Sequence, residues 1–399
     1  MTTRRHLLAS ALTAAAFGPW SRLSIAAAPP TAGSANRFVF LILRGGMDGL
    51  VAVPALGDPA FAEARGPLGV FVGEPLRLDS TFALNPLLPQ LHAMYGRQEL
   101  AVLHATGLPY RERSHFDAQQ VLESGGTRPH ELLTGWLGRA LGSASGSAAG
   151  LKAVALETAV PLVLRGPTEV DTWAPSAMPE PSADLVMRLE SMYRNDPALA
   201  QALARARGLR DDPGMAANPQ GMGGAGPGRA AAVALASKAA EFLQRGSQVA
   251  VLEMGGWDSH INAATPNGAL SGNLRTLDAT LAALREGLLP NGAWDRSVVL
   301  VATEFGREVA VNGNQGTDHG TGGAAFVLGG AVRGGRVLAD WPGLAKKDRH
   351  EGRDLRITTD LRAALRTVLG EHLRVPRSAL DGSVLPGSSK IAGLDLLKA

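Results

Sequence analysis

The chain of 399 residues contains no cysteine, and only 5% of its residues are aromatic. The absence of cysteine excludes a disulfide scaffold, a thiolate zinc site, a cysteine-ligated iron-sulfur cluster and a cysteine nucleophile. A metal ion can therefore bind only through histidine and carboxylate side chains. With 45% hydrophobic and 19% charged residues, the composition is that of a globular protein with ample core.

The N-terminus carries the small excess of positive charge, +3 from 39 basic and 36 acidic residues. Arg4 and Arg5 precede the apolar stretch 7–17, and a run of alanines follows. This pattern predicts a twin-arginine export signal over residues 1–28 and a flexible tether over residues 29–36. A membrane anchor is the weaker alternative, because the apolar stretch falls well short of the roughly 20 residues that span a bilayer.

Removal of the signal would leave 36 basic and 36 acidic residues, since its only charged side chains are three arginines. A neutral mature chain without a basic patch argues against nucleic-acid binding. No other stretch approaches a membrane-spanning length, so we expect no transmembrane segment in the mature chain. We therefore expect a periplasmic or otherwise exported protein, with the Tat translocon as its partner during export.

Short apolar runs alternate along the chain with helical patterns, which favours a mostly parallel sheet covered by helices on both faces. The predicted strands are Arg37–Leu43, Leu100–His104, Leu151–Leu156, Gln248–Met254, Ser297–Ala302 and Ala324–Leu328. The predicted helices are Pro86–Tyr95, Ser114–Glu123, Arg229–Gln244, Asn273–Leu288 and, at the C-terminal end, Thr359–Leu373.

Residues 37–399 are long enough for one large α/β domain or for a core with an inserted cap. The segment 151–204 is the candidate insertion. Residues 205–229 are rich in glycine and proline without periodicity, which predicts a surface loop or linker. Their glycines do not link a strand to a helix, so they are not a nucleotide-binding fingerprint.

Carboxylate and imidazole side chains follow several of the predicted strands and precede another, and we expect them to converge at the edge of the sheet where ligands bind in open α/β folds. Each of them alone is well explained by a turn, a cap or a buried hydrogen bond. Their joint position predicts a site for a divalent metal. The six candidate ligands are Asp48, Asp258, His260, Glu304, Asp318 and His319.

A hydroxyl stands at the start of a predicted helix, where Ser114 and Asp117 resemble a capping box. The same position favours a nucleophile, because the positive end of the helix dipole stabilises an alkoxide and an anionic substrate. Arg111 and Arg113 are candidate donors to phosphate or sulfate oxygens, and His115 is a further candidate catalytic residue. The motifs of serine esterases, zincins and P-loop proteins are absent.

Ordered motifs along the chain carry a resemblance to a known family. The strings FVFLILRGGMDGL, RSHFDAQ, GGWDSH, TEFGR and GTDHGTGGAAFVLGG resemble the exported bacterial proteins of the domain-of-unknown-function 1501 family. That family is similar to the alkaline phosphatase superfamily, which includes sulfatases and cofactor-independent phosphoglycerate mutases. The resemblance implies a three-layer sandwich like that of alkaline phosphatase.

The resemblance also implies roles for the candidate residues. By position, Asp48 matches a metal ligand after the first strand and Ser114 matches the nucleophile. One metal site would consist of Asp258, His260 and His319, a ligand set that suits zinc.

A second site would use Asp48, Glu304 and the Ser114 oxygen, which are ligands for magnesium, calcium or manganese. Phe305 stands where the superfamily has a histidine, so we expect one metal rather than two. Asp318 is either an extra ligand or the acceptor that orients a histidine.

Two functions are consistent with these residues. The first is an exported metal-dependent hydrolase of phosphate or sulfate esters, with an anionic ester as substrate and with Ser114 or a water as nucleophile. The second is a non-catalytic relative that keeps the fold and binds a metal or a partner. Phe305 favours the second, because a weakened second metal site would activate Ser114 less.

Overall fold

The computed structural model describes residues 35–144, 152–175, 183–197, 199–201, 203–204, 228–265 and 268–398. All of them belong to the unit Ala32–Ala399. The predicted export signal over residues 1–28 and nearly all of the predicted linker 205–229 lie outside the described residues, as does most of the tether.

In chain order the strands of the described residues are β1 (Arg37–Leu43), β2 (Leu76–Arg77), β3 (Ala83–Leu84), β4 (Leu100–Gly107), β5 (Ala153–Ala155), β6 (Asp171–Thr172), β7 (Val249–Met254), β8 (Ser297–Thr303), β9 (Gly323–Leu328), β10 (Arg336–Leu338) and β11 (Thr359–Asp360). Nine of these strands form the sheet at the centre of the fold, and β2 and β3 form a separate pair. In spatial order the central sheet runs β10-β4-β9-β8-β1-β7-β5-β6, and β11 also pairs with β4.

Strand β1 shows why both faces of the sheet must be covered. All seven of its residues are buried, and successive side chains point to opposite faces. Val39 and Leu41 pack into one hydrophobic cluster, whereas Phe38 and Phe40 pack into a second cluster on the other face. This arrangement confirms the predicted α/β sandwich with helices on both faces.

The α-helices of the described residues are α1 (Gly49–Ala52), α2 (Phe61–Arg65), α3 (Pro89–Gly96), α4 (His115–Ser124), α5 (Trp136–Leu141), α6 (Ala183–Tyr193), α7 (Arg229–Gln244), α8 (Ala269–Leu288), α9 (Arg362–Thr367) and α10 (Arg377–Ala379). The α9 helix continues as a π-helical turn, Val368–His372. In the part of the chain that is described, no helix combines the length and apolarity that a membrane crossing requires.

The predicted C-terminal helix starts later than expected. Residues 359–360 pair with β4 as strand β11, and the Asp360 side chain accepts a hydrogen bond from the backbone of Arg362 at 2.9 Å. The helix therefore begins at Arg362.

Part of the candidate insertion 151–204 belongs to the central sheet. Strands β5 and β6, which lie within it, pair with each other, and β5 pairs with β7.

One strand of the central sheet runs against the others. Strand β9 pairs antiparallel with both β4 and β8, whereas the other pairings of the described sheet are parallel. The start of β9 therefore lies at the same edge as the ends of β1, β7 and β8. This direction brings the residues that precede β9, including His319, to the edge where the other candidate ligands lie.

Candidate metal centre

Four segments of the chain meet at this edge of the sheet. The loop after β7 supplies Asp258 and His260, the end of β8 supplies Glu304, the first turn of α4 supplies His115, and the segment before β9 supplies His319. One ligand atom from each of His115, Asp258 and His319 lies within 4.8 Å of the others.

His319 is oriented by the backbone. Its Nδ1 lies 2.9 Å from the carbonyl oxygen of Arg113, so Nδ1 carries the proton and donates it. Its Nε2 then has a free lone pair, 3.3 Å from Asp258 Oδ1 and 2.9 Å from His260 Nε2. Burial lowers the pKa of His319, which favours the neutral imidazole that a metal requires.

His260 is oriented by a carboxylate. Its Nδ1 donates to Asp318 Oδ1 at 3.1 Å, and its Nε2 lies 3.0 Å from Asp258 Oδ1. Asn312 also donates to Asp318 Oδ1 at 3.1 Å, and this hydrogen bond is the largest cause of the lowered pKa of Asp318. Asp318 is thus ionised and holds one tautomer of His260.

His115 is oriented by a second, buried carboxylate. Its Nδ1 donates to Glu304 Oε1 at 2.7 Å, which raises the pKa of His115. Its Nε2 lies 3.5 Å from Asp258 Oδ1 and is buried without a hydrogen-bond partner among the described residues. A buried nitrogen that has no hydrogen-bond partner and faces a carboxylate is suited to ligate a cation.

Glu304 is surrounded by donors. Its Oε1 accepts hydrogen bonds from His115, the backbone N–H of Gly45 at 2.8 Å and Gln119 at 3.0 Å, and the Thr303 hydroxyl, which also lies 2.8 Å from the Leu43 carbonyl, is 2.9 Å from Oε2. Burial opposes its ionisation, but these hydrogen bonds outweigh it and lower the pKa of Glu304. Its carboxylate is therefore occupied in positioning His115.

The three imidazoles share one arrangement. Each Nδ1 is tied to an acceptor, and each Nε2 is directed toward Asp258 Oδ1. Two neutral Nε2 lone pairs at 2.9 Å repel each other unless a proton or a cation lies between them. The donor set of three nitrogens and one carboxylate oxygen suits zinc and fits other borderline divalent ions.

Asp258 links the site to a buried arginine. Arg307 Nη2 donates to Asp258 Oδ1 at 2.7 Å. Burial raises the pKa of Asp258, but Arg307 and the neighbouring histidines lower it by more. The Asp258 side chain is 46% exposed, so the centre is open to a ligand from solvent.

Phe305 forms an apolar wall beside the histidines. Its ring centroid lies 4.6 Å from that of His115 and 5.0 Å from that of His319. The side chain is buried and packs against two rings of the centre. It fills space next to Glu304 that a further imidazole ligand would need.

The structure does not bring Asp48 into this centre. Its carboxylate caps α1 through the backbone N–H groups of Leu50 and Val51. It also pairs with the fully buried Arg65 at 2.6 Å and accepts from Thr317 at 3.3 Å. The group after β1 that reaches Glu304 is instead the Gly45 N–H.

Ser114 precedes α4 without capping it through its side chain. Its hydroxyl interacts with Tyr110, whose own hydroxyl donates to Asp117 at 3.0 Å. Arg111 is exposed, and Arg113 pairs with Glu351 and Asp354.

Three side chains that hold the carboxylates of the centre in place were not predicted from the sequence. Gln119, Asn312 and Arg307 fix Glu304, Asp318 and Asp258, respectively. Arg307 and Gln119 had a signal, because they lie within the TEFGR and RSHFDAQ motifs that carry the family resemblance, whereas Asn312 had none.

The profile of the family described as "Protein of unknown function (DUF1501)" matches residues 93–384, which include every ligand candidate of this centre. The chain belongs to this family. No curated protein matches this DUF1501 chain.

Solved structures show similarities of fold to the DUF1501 chain. The PsFucS1 sulfatase from Pseudoalteromonas sp. has a TM-score of 0.41 and 12% identity, covering 91% of this chain and 71% of that one. A protein in the alkaline phosphatase superfamily from Vibrio parahaemolyticus has a TM-score of 0.40 and 11% identity, with 84% and 66% covered. The C-terminal periplasmic domain of EcEptC from Escherichia coli, in complex with zinc, has a TM-score of 0.36 and 11% identity, with 92% and 93% covered. Similarities this low carry no argument about activity.

Proposed function

We propose that this DUF1501 protein is an exported, metal-dependent hydrolase of phosphate or sulfate esters that holds one divalent ion. The observation that carries the proposal is the convergence of three tautomer-fixed histidines on Asp258 Oδ1. Catalytic zinc sites use such sets of imidazole and carboxylate, with room for a further ligand.

The ion would be held by His115, Asp258, His260 and His319. Once bound, it supplies a Lewis-acid charge that neutralises an anionic ester and lowers the pKa of a nearby hydroxyl or water. The orphaned Nε2 of His115 and the facing lone pairs of His260 and His319 fit this group.

The chain's own residues fix the reacting geometry. Glu304, Asp318 and the Arg113 carbonyl each keep the proton on Nδ1 of one imidazole, which holds Nε2 free. Arg307 keeps Asp258 ionised and directed toward the rings. Rigid placement of this kind removes reorganisation from the chemical step.

The nucleophile is either Ser114 or water. Ser114 immediately precedes His115, at the positive end of the α4 dipole. A Ser114→Ala variant that keeps hydrolysis would assign the attack to water. Its loss of hydrolysis with unchanged metal content would assign the attack to the Ser114 hydroxyl.

The deciding experiment joins metal analysis to an ester panel. Purified protein, loaded separately with zinc, manganese, magnesium and calcium, is assayed on an aryl phosphate, an aryl sulfate and a phosphodiester. We expect one ion per chain and hydrolysis of at least one ester, and both should be lost in Asp258→Asn. His92→Gln is the control, because His92 lies half-buried on α3 and, among the described residues, its side chain bonds to the Arg77 carbonyl and to no group of the centre.

A second function has a specific observation in its favour. Among the described residues, Glu304 is held by several donors and the buried ring of Phe305 lies beside His115, which disfavours a second ion next to the first. A protein that binds one ion per chain but cleaves no ester in the panel would be a non-catalytic metal-binding or partner-binding relative.

Export is tested separately. If residues 1–28 are a twin-arginine signal, replacing Arg4 and Arg5 with lysine should retain the precursor in the cytoplasmic fraction. Unchanged export of this double variant would refute the assignment.

A further inference from the structure

Arg113 connects the metal centre to a short acidic loop, residues 350–354, which carries Glu351 and Asp354. Its carbonyl oxygen accepts the hydrogen bond from His319 Nδ1. Its guanidinium extends to two carboxylates, with Nε 2.8 Å from Asp354 Oδ2 and Nη2 2.6 Å from Glu351 Oε2. The residue that fixes one ligand of the centre thus also carries a positive charge beside it.

The two carboxylates differ in burial. The Asp354 side chain is fully buried, whereas that of Glu351 is 60% exposed. Asp354 therefore holds the Arg113 guanidinium in place even when the Glu351 carboxylate no longer pairs with it. An exposed ion pair like that of Glu351 contributes little to stability and is readily replaced.

The acidic loop is tied to the centre on its other side. Asp354 N donates to the His350 carbonyl at 3.0 Å and His350 N donates to the Asp354 carbonyl at 2.8 Å, which closes the loop and leaves Glu351 at its tip. Arg353 Nη2 donates to the His319 carbonyl at 2.9 Å. The loop is thus fixed beside the metal ligand, and the Glu351 side chain is its exposed, replaceable element.

Both ends of the replaceable ion pair have an unusual backbone. Arg113 and Glu351 are non-glycine residues with positive φ, at 60° and 54°. Such conformations cost free energy and concentrate at functional sites and ligand clamps.

We propose that Arg113 Nη2 is a binding site for an oxyanion of the substrate, and that Glu351 occupies it as an autoinhibitory stand-in until the substrate arrives. A phosphate, sulfate or carboxylate offers Nη2 the same oxygen acceptor as Glu351. This inference deepens the proposed function by assigning the group that selects anionic esters.

The test measures binding of inorganic phosphate to metal-free, full-length protein by isothermal titration calorimetry at low ionic strength. Removing the competing carboxylate in Glu351→Gln should tighten phosphate binding by about threefold, the scale of an exposed ion pair. Arg113→Lys should weaken it, because lysine keeps the charge but loses the fork that holds Asp354 and the anion together.

Glu286→Gln is the matched control. Glu286 is a 68%-exposed partner of Arg285, which is likewise anchored by a second, less exposed carboxylate, Glu99. This substitution changes the net charge by the same amount and should leave phosphate affinity unchanged. An equal gain in Glu286→Gln would reduce the effect to general electrostatics and overturn the proposal.

Two further outcomes overturn it: phosphate affinity that is the same in Glu351→Gln as in the wild type, or that is unaffected by Arg113→Lys. Circular dichroism confirms that each variant is folded. Because the assay uses neither metal nor turnover, a failed ester panel leaves its result intact, and the two proposals fail separately.

Discussion

Replacement of Glu304 with glutamine tests whether this carboxylate positions His115. Glutamine keeps the size of the side chain, and its carbonyl oxygen can still accept from Gly45 and Gln119. The negative charge that fixes the proton on His115 Nδ1, at 2.7 Å, is lost. The loss of such an outer carboxylate lowers metal affinity by about 10- to 100-fold, or about 1.4–2.7 kcal/mol.

The Asp318→Asn variant calibrates this effect. Asp318 holds His260 at a longer distance, 3.1 Å, and its side chain is 49% exposed. Glu304 is only 1% exposed, so water cannot replace its interaction with His115. Asp318→Asn should therefore lower metal affinity by less than Glu304→Gln does.

Zinc affinity of each variant can be measured by competition with a chromophoric chelator, with circular dichroism as the control for folding. The reasoning would be refuted if Glu304→Gln bound zinc within about twofold of the wild type. It would equally be refuted if Asp318→Asn had the larger effect.

Three other predictions concern the supporting structure. Burial lowers the pKa of His104 to about 4, so the neutral side chain contributes fully to stability above pH ~6.5. About 3 kcal/mol of the free energy of unfolding is lost as the pH falls from ~6.5 to ~4. In His104→Gln the pH dependence of urea unfolding should therefore be shallower over this window. Gly45→Ala would place a Cβ 2.5 Å from the backbone nitrogen of Asp258 at a φ of +118°, so thermal unfolding should show a loss of about 2 kcal/mol or more, accompanied by weaker zinc binding. Phe305→Ala removes the ring beside His115 and should lower the free energy of unfolding by about 3–5 kcal/mol in chemical denaturation. An unchanged denaturation midpoint would show that packing of this ring does not stabilise the fold.

The fold was largely predictable because buried parallel strands have a strong local signal. The continuous apolar runs at Arg37–Leu43 and Ser297–Ala302 correspond to β1 and β8 almost residue for residue. The direction of β9 had no such signal, since an antiparallel and a parallel buried strand have the same apolar composition. Position after a strand nevertheless pointed to Asp258 and His260, and His319, which precedes β9, joins them because β9 is antiparallel.

The partners of the candidate ligands were less predictable. Asp48 lies in the loop after β1, but the sequence does not reveal that Arg65 of α2 pairs with it inside the core. The sequence likewise places Glu304 at the correct edge without showing that four donors surround it. These outcomes depend on contacts between distant segments, which local patterns do not encode.

The candidate ligands come from positions 115, 258 to 260 and 319, which only the folded chain brings within reach of one ion. An unfolded chain offers at most one close pair of these ligands and so binds the ion far more weakly. Ion binding and folding are then thermodynamically linked. Free zinc at 100 times its Kd would raise the free energy of unfolding by about 2.7 kcal/mol. The occupancy of the centre would thus contribute to the thermodynamic stability of the protein as well as to its chemistry.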